Sequence, residues 1–335
     1  MAKQLDSIGF DKARITRRNC CWPQIDWRVA VAVGLLFLFV APTAMAQSRR
    51  SGWGGQDLAQ SRARSWAWIS VDSLWMTPSG SDFRSEILDP NNNAVTIAQT
   101  LDHGFPAAPR FRISSLLLDS CRTEFTYYKL EDWSSMASVS NVPPTPDLDA
   151  QFGYDAGLEN FELNLFSAPS VVDTQWMVGL RRLEYQDSVS NAYQLDTGLA
   201  PVIEETADGS ASNELFGPQF GLGFDVGLRN VLFRMTGKLG LMNNDIRQRG
   251  VSYDPAIVID GNPEPTFDNE SDEFVWLGDI EASISYHLSR CFAMRLGYQG
   301  LFLDRIAQSA LQNGSQASPS DISFHGFFLG AEYVH

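Results

Sequence analysis

Along residues 272–304 apolar and polar side chains alternate. Phe274, Trp276, Ile280, Ala282, Ile284 and Tyr286 share one parity, and Glu273, Asp279, Glu281, Ser283 and Ser285 share the other. After a short turn, Phe292, Met294, Leu296, Tyr298 and Phe302 face away from Arg295 and Gln299. A period of two marks a strand with one apolar face. The run is about twice the length of an ordinary globular strand, and charges interrupt one face only. A membrane-barrel hairpin, apolar side to lipid, explains this better than a soluble core.

The same pattern predicts ten strands: 66–76, 110–118, 123–130, 157–167, 174–185, 213–226, 231–243, the two halves of 272–304, and 323–335. Between them short and long connections alternate without exception. Residues 119–122, 168–173, 227–230 and 287–291 read as turns; 77–109, 131–156, 186–212, 244–271 and 306–322 read as loops. Even strand number, short periplasmic turns and long external loops describe a bacterial outer-membrane barrel. The predicted fold is therefore all-β, a transmembrane antiparallel up-and-down β-barrel over 66–335, of ten strands, or twelve if a long loop hides a hairpin. Aromatic residues near predicted strand ends fit two interfacial girdles: Trp75, Tyr127, Tyr185, Phe274, Trp276, Phe302 and Phe327 on the loop side, Trp176, Tyr286, Phe292 and Tyr333 on the turn side.

The first 46 residues differ in kind. A basic region precedes the apolar run Val29 to Val40, and Ala44 and Ala46 form an A-x-A cleavage signal before Gln47. Twelve apolar residues are too few for a comfortable membrane span, so 1–46 reads as a cleaved export signal. Residues 47–65, rich in Gly, Ser, Arg and Gln, read as a flexible leader. The expected location is the outer membrane. Expected partners are outer-membrane lipid, periplasmic chaperones and the barrel-assembly machinery, with oligomeric state open.

The formal charge of −15 over 335 residues argues against a nucleic-acid surface, which needs clustered Lys and Arg. Two of the four cysteines, Cys20 and Cys21, lie in the export signal. Cys121 and Cys291 fall at turns about four strands apart, too far for a disulfide, and are expected as free thiols.

The chain has no nucleotide loop, HExxH, GxSxG or CxxC motif. Gly217, Gly221, Gly223 and Gly227 share one strand parity and suit the inside of a narrow barrel better than a phosphate cradle. His103, His287, His325 and His335 are dispersed, and the acidic stretch 260–273 lacks the spacing of a calcium loop. No catalytic residue, cofactor or metal is expected. Parity instead selects a set of lumen-lining charges: Asp72, Arg112, Glu124, Glu162, Arg181, Asp225, Arg234, Lys238, Asp279, Glu281 and Arg295. A ten-stranded lumen lies near the size that side chains fill. These charges should therefore pair, for example Asp279 or Glu281 with Arg295, and leave a tight or occluded pore.

The motifs LFGPQFGLGFD (215–225), TGKLGLMNN (236–244), LGDIEASISYHLSRCFAMRLGYQGLFLD (277–304) and SFHGFFLGAEY (323–333), in this order, resemble the β-barrel porin type 7 family of bacterial outer-membrane proteins. WISVDSLWM (68–76) and WMVGLRRLEY (176–185) are similar to its earlier strands, with Arg182 where the family usually carries an aromatic. The resemblance implies an outer-membrane barrel and brings no catalytic residue and no solute. The expected function is a narrow passive channel, or an occluded structural barrel that displays its loops. A membrane-embedded hydrolase and an exported soluble β-sandwich are the competing readings.

Overall fold

A computed structural model describes residues 67–79, 82–88, 94–100, 105–118, 121–131, 133–140, 148–167, 174–195, 203–253, 265–289, 291–309 and 320–334. The predicted export signal and leader, Trp66, His103 and His335 lie outside the described residues. Thirteen strands follow one another: β1 (Ala67–Ser79), β2 (Asp82–Leu88), β3 (Ala94–Thr100), β4 (Ala107–Leu118), β5 (Cys121–Leu130), β6 (Ser135–Ser140), β7 (Leu148–Ser167), β8 (Thr174–Leu195), β9 (Ile203–Leu228), β10 (Val231–Tyr253), β11 (Pro265–His287), β12 (Phe292–Ile306) and β13 (Ser320–Val334).

Ten of them close a ring. The pairing runs β5-β4-β1-β13-β12-β11-β10-β9-β8-β7, and β7 returns to β5. Every pairing is antiparallel, and β1 meets β13 from Trp68↔Val334 to Ser79↔Ser323. The short β6 continues the β5 edge along β7: β5 pairs Leu158–Ser167 and β6 pairs Asp149–Tyr154. Between them Trp133 and Ala156 exchange two backbone hydrogen bonds. The first long connection does hide a hairpin, β2–β3, but it forms a separate two-stranded sheet and adds nothing to the wall.

The alternation read from the sequence is the inside–outside code of this wall. Phe274, Trp276, Ile280, Ile284 and Tyr286 of β11 are exposed, while Leu277, Asp279, Glu281, Ser283 and Ser285 are buried. The same holds for Trp176, Val178 and Leu180 on β8 and for Phe233, Leu239 and Leu241 on β10. At ~3.3 Å per residue and a tilt of ~40°, Phe274 to Tyr286 rises on the order of 30 Å, close to the ~25 Å apolar band of outer-membrane barrels. One cross-strand row bounds this belt toward the long loops. Lys129↔Glu159, Glu159↔Glu184, Glu184↔Glu214, Glu214↔Asp245 and Asp245↔Asp272 are successive register partners.

Two expectations are corrected. Much of the supposed loops 131–156, 186–212 and 244–271 is strand: β8 and β9 stay paired to Leu195↔Ile203, and β9 and β10 to Tyr253↔Thr206. Beyond the belt water replaces lipid outside, so Asp208 and Ser210 face outward against Gly209 and Ala211 inside. The backbone ladder continues there while the hydrophobic alternation fades. Tyr185 is not part of an outer girdle. It is fully buried, because outward-facing Arg182 and Glu184 fix its parity inward.

Candidate functional site

The interior of the barrel holds whatever chemistry the described residues offer. Its side chains form successive layers from the short-turn rim to the long-loop rim. All eleven sequence-predicted luminal charges, Asp72, Arg112, Glu124, Glu162, Arg181, Asp225, Arg234, Lys238, Asp279, Glu281 and Arg295, lie buried there. Three further charges lie there that the sequence-predicted set does not include: Arg110 and Glu332, both buried, and the half-buried Arg122.

Near the short-turn rim Arg234 holds Asp225 in a two-pronged bond, Nε to Oδ1 at 2.8 Å and Nη2 to Oδ2 at 2.7 Å. The two are register partners on β9 and β10, so adjacent strands present the fork and the carboxylate side by side. Trp68 lies under both Arg122 and Arg234, at 5.7 and 6.0 Å from guanidinium carbon to ring centroid. Arg122 also sits 4.8 Å from the Phe166 ring and donates to Gln175.

The middle layer is an ionic mesh. Glu281 accepts from Arg110, Arg112 and Arg295, which come from β4 and β12. Asp72 takes Arg110 Nη2 at 2.7 Å and lies 3.5 Å from Arg295. Gly330 faces Asp72 across the β1–β13 ladder, where any Cβ would strike the Asp72 carboxylate and the Val71 carbonyl. On the other side of the bore Asp279 takes Arg181 at 2.8 Å and lies 3.7 Å from Lys238, and Glu162 takes Lys238 at 2.7 Å. Gln299 bridges the two halves: its oxygen accepts from Arg110 at 2.8 Å and its amide donates to Asp279. Arg295 therefore pairs with Glu281, as expected, and Asp279 with Arg181. From β11, Asp279 reaches Arg181 of β8 across the bore and lies beside Lys238, its register partner on β10.

Counted over both layers, the bases are Arg110, Arg112, Arg122, Arg181, Arg234, Lys238 and Arg295, and the acids are Asp72, Glu124, Glu162, Asp225, Asp279, Glu281 and Glu332. Seven face seven, so the described interior carries no net charge here to select an ion.

Above the mesh the bore turns apolar. Leu74, Met76, Leu158, Leu183, Leu215, Met242, Leu277, Leu301, Ile306 and Phe328 belong to one continuous cluster of buried side chains. Trp133 enters it from the kink between β5 and β6. Its indole N–H donates to the Met76 carbonyl at 2.8 Å and its ring stacks on Phe324 at 5.2 Å. Tyr185 meets the same Phe324 edge-on at 5.6 Å. Phe328 joins the layers, with Arg110 and Arg295 over its ring at 4.0 and 4.8 Å.

Among the described residues no group of three or more His, Cys, Asp or Glu side chains is arranged to hold a metal ion. Cys121 and Cys291 are not disulfide-bonded and lie at the same rim. Both lie at short-turn ends, at the start of β5 and just before β12, and the ring order separates these strands by four steps. No helix among the described residues is long and apolar enough to cross a membrane, which says nothing of strands.

A search of curated proteins finds no match. Among solved structures the barrel is similar to the outer membrane protease OmpT from Escherichia coli at 12% identity, covering 80% of this chain and 96% of that one, with a TM-score of 0.47. The translocator domain of the autotransporter NalP from Neisseria meningitidis follows at 9% identity, 88% and 96% coverage and a TM-score of 0.35. The outer membrane protein OprG from Pseudomonas aeruginosa stands at 10% identity, 81% and 96% coverage and 0.26. Likenesses this distant say nothing of activity. The family assignment comes from the sequence, where residues 147–332 match the family described as "Putative beta barrel porin-7 (BBP7)". With more than half of its length matched, and with its closed ten-stranded wall and apolar belt, the chain belongs to this family of outer-membrane β-barrels.

Proposed function

We propose that the protein is an outer-membrane barrel whose bore is closed by its own side chains, serving as a scaffold for its long loops rather than as an open passive pore. The observation that carries this reading is the apolar layer in which Trp133 stacks on Phe324 above the ionic mesh. A water-filled pore needs a continuous polar path, and a hydrophobic constriction of this kind excludes water. The mesh supports the same reading. Charges buried in a narrow lumen are tolerated when paired, and the mesh ties Asp72, Glu162, Asp279 and Glu281 to bases.

In this reading residues 1–46 direct export, chaperones and the assembly machinery deliver the chain, and the long-loop rim faces outward. Lipid surrounds the belt. No side chain of the interior has a catalytic task. Liposome swelling tests the proposal: vesicles carrying the refolded barrel should swell no faster in a small neutral sugar than empty vesicles. Swelling at a porin-like rate would contradict it, and cleavage of lipid or peptide substrates by the purified barrel would favour the hydrolase reading.

A further inference from the structure

The chain leaves β12 through Arg305, whose φ of 50° is left-handed and unusual for a residue with a side chain. It then turns into the mouth of the barrel, where Ile306 and Ala307 are buried. Three side chains on three neighbouring strands grip the backbone that follows. Asn213 of β9 donates to the Ala307 carbonyl at 2.7 Å and accepts from the Ala307 amide at 2.9 Å. Gln248 of β10 donates to the Gln308 carbonyl at 3.1 Å. Asp187 of β8 accepts from the Ser309 amide at 3.0 Å and from its hydroxyl at 2.9 Å. Residues 306–309 are thus a strap tied across the long-loop mouth.

We propose that this strap is a proton-sensitive latch, docked while Asp187 is protonated and released as Asp187 ionises. Asp187 is almost fully buried, yet no base pairs with it among the described residues. The groups that face it are the phenols of Tyr154 from β7 and Tyr185 from its own strand, Ala211 as its β9 register partner, and Ser309 of the strap. Both phenols are pushed up by burial first and by this carboxylate second, so they stay neutral and offer no counter-charge. Two hydrogen-bond donors on Ser309 replace only part of the hydration a carboxylate loses. Burial accordingly pushes the Asp187 carboxyl up to about 7, with the Ser309 bonds acting in the opposite direction. Asp187 stands beyond the apolar belt, on the aqueous stretch of β8.

The direction of the effect follows from linkage. A free carboxyl titrates near ~3.9. The latch requires that release admit water to Asp187; burial in the docked state then outweighs the opposing Ser309 bonds, and docking takes up a proton. The strap is held most firmly below about pH 4 and progressively less firmly as the pH rises toward about 7. The neutral carboxyl keeps one oxygen for the Ser309 amide and gains a donor for the Ser309 hydroxyl. Release also withdraws Ile306 from the apolar layer. Any consequence for conductance rests on the closed-bore reading; the movement of the strap does not.

The test is a nitroxide at Gln308→Cys in the full-length chain, with Cys20→Ser, Cys21→Ser, Cys121→Ser and Cys291→Ser to leave one thiol, refolded into liposomes. Electron paramagnetic resonance should show an immobilised label at pH 4.5 and a mobile one at pH 8.5. Asp187→Asn, a neutral isostere that keeps both bonds to Ser309, should remain immobilised at both pH values, and Asp187→Ala should be mobile at both. Equal mobility of the parent label at the two pH values would overturn the latch, as would a pH response that survives in Asp187→Asn. Conductance at pH 4.5 with an immobilised label would instead overturn the closed bore and leave the latch standing.

Discussion

Asp72 and Arg110, 38 residues apart in the chain, are direct register partners on β1 and β4, and Arg110 Nε and Nη2 both reach Asp72 Oδ2, at 3.0 and 2.7 Å. Arg110 gives its remaining nitrogen to Glu281 and Gln299, so one guanidinium ties four strands of the ring, β4, β1, β11 and β12, together. Replacing it by methionine leaves Asp72 buried with only the more distant Arg295. Removal of one partner from a buried pair typically costs about 3–5 kcal/mol. Arg110→Met should lower the urea midpoint of the refolded barrel accordingly, and an unchanged midpoint would show that the mesh contributes no stability.

Trp133 closes the apolar layer from a position with little regular pairing of its own. Trp133→Ala should remove its bond to Met76, its stacking on Phe324 and a large volume, at a cost of about 3–5 kcal/mol. The double variant Trp133→Ala/Phe324→Ala should also admit ions where the parent does not, read as current steps in a planar bilayer.

The belt makes a depth-dependent prediction. Leu239 is 64% exposed midway along the outward face of β10, whereas Phe274 stands at the edge of the belt beside the charged row. Leu239→Arg should cost about 2–4 kcal/mol of folding free energy in lipid vesicles, and Phe274→Arg about 1 kcal/mol or less. Equal costs at the two positions would mean that the belt is misplaced.

Arg182, outward on β8, bonds Glu214 at 2.8 Å and Glu184 at 3.2 Å, with nearly half of its side chain exposed. Exposed pairs are screened and contribute about 0–1 kcal/mol. Arg182→Gln should therefore shift the unfolding midpoint little, in contrast to Arg181→Gln one residue away, whose head is fully buried against Asp279.

Cys121 and Cys291 share the short-turn rim, half-buried and exposed respectively. A membrane-impermeant maleimide should leave both untouched in intact cells and label Cys291 faster than Cys121 once the outer membrane is opened. Labelling of Cys291 in intact cells would place the short turns outside.

Period-two alternation made the wall legible because lipid outside and a polar mesh inside force opposite chemistry onto successive residues, as from Phe274 to Tyr286. The same rule placed the luminal charges, since parity alone separates Glu281 from Ile280. Arg110 has the same inward parity as Arg112, so the rule reaches it too, at the first position of its predicted strand directly after Pro109. The upper strands escape the rule. With water outside, Asp208 and Ser210 carry no apolar signal, although β9 is still paired on both sides. Trp133 sits in a polar, proline-rich stretch that reads as loop, and its burial depends on a kink between two strand pairings. The strap depends on contacts such as Asp187 with Ser309, 122 residues apart, which no local pattern encodes.

Single-channel recording at pH 5.5, below the point at which the strap is weakened most, tests the closed bore most directly. Refolded parent protein with intact β-sheet circular dichroism should give a silent bilayer, and the same preparation of Trp133→Ala/Phe324→Ala should give discrete current steps. Discrete steps from the parent protein at that pH would contradict the account.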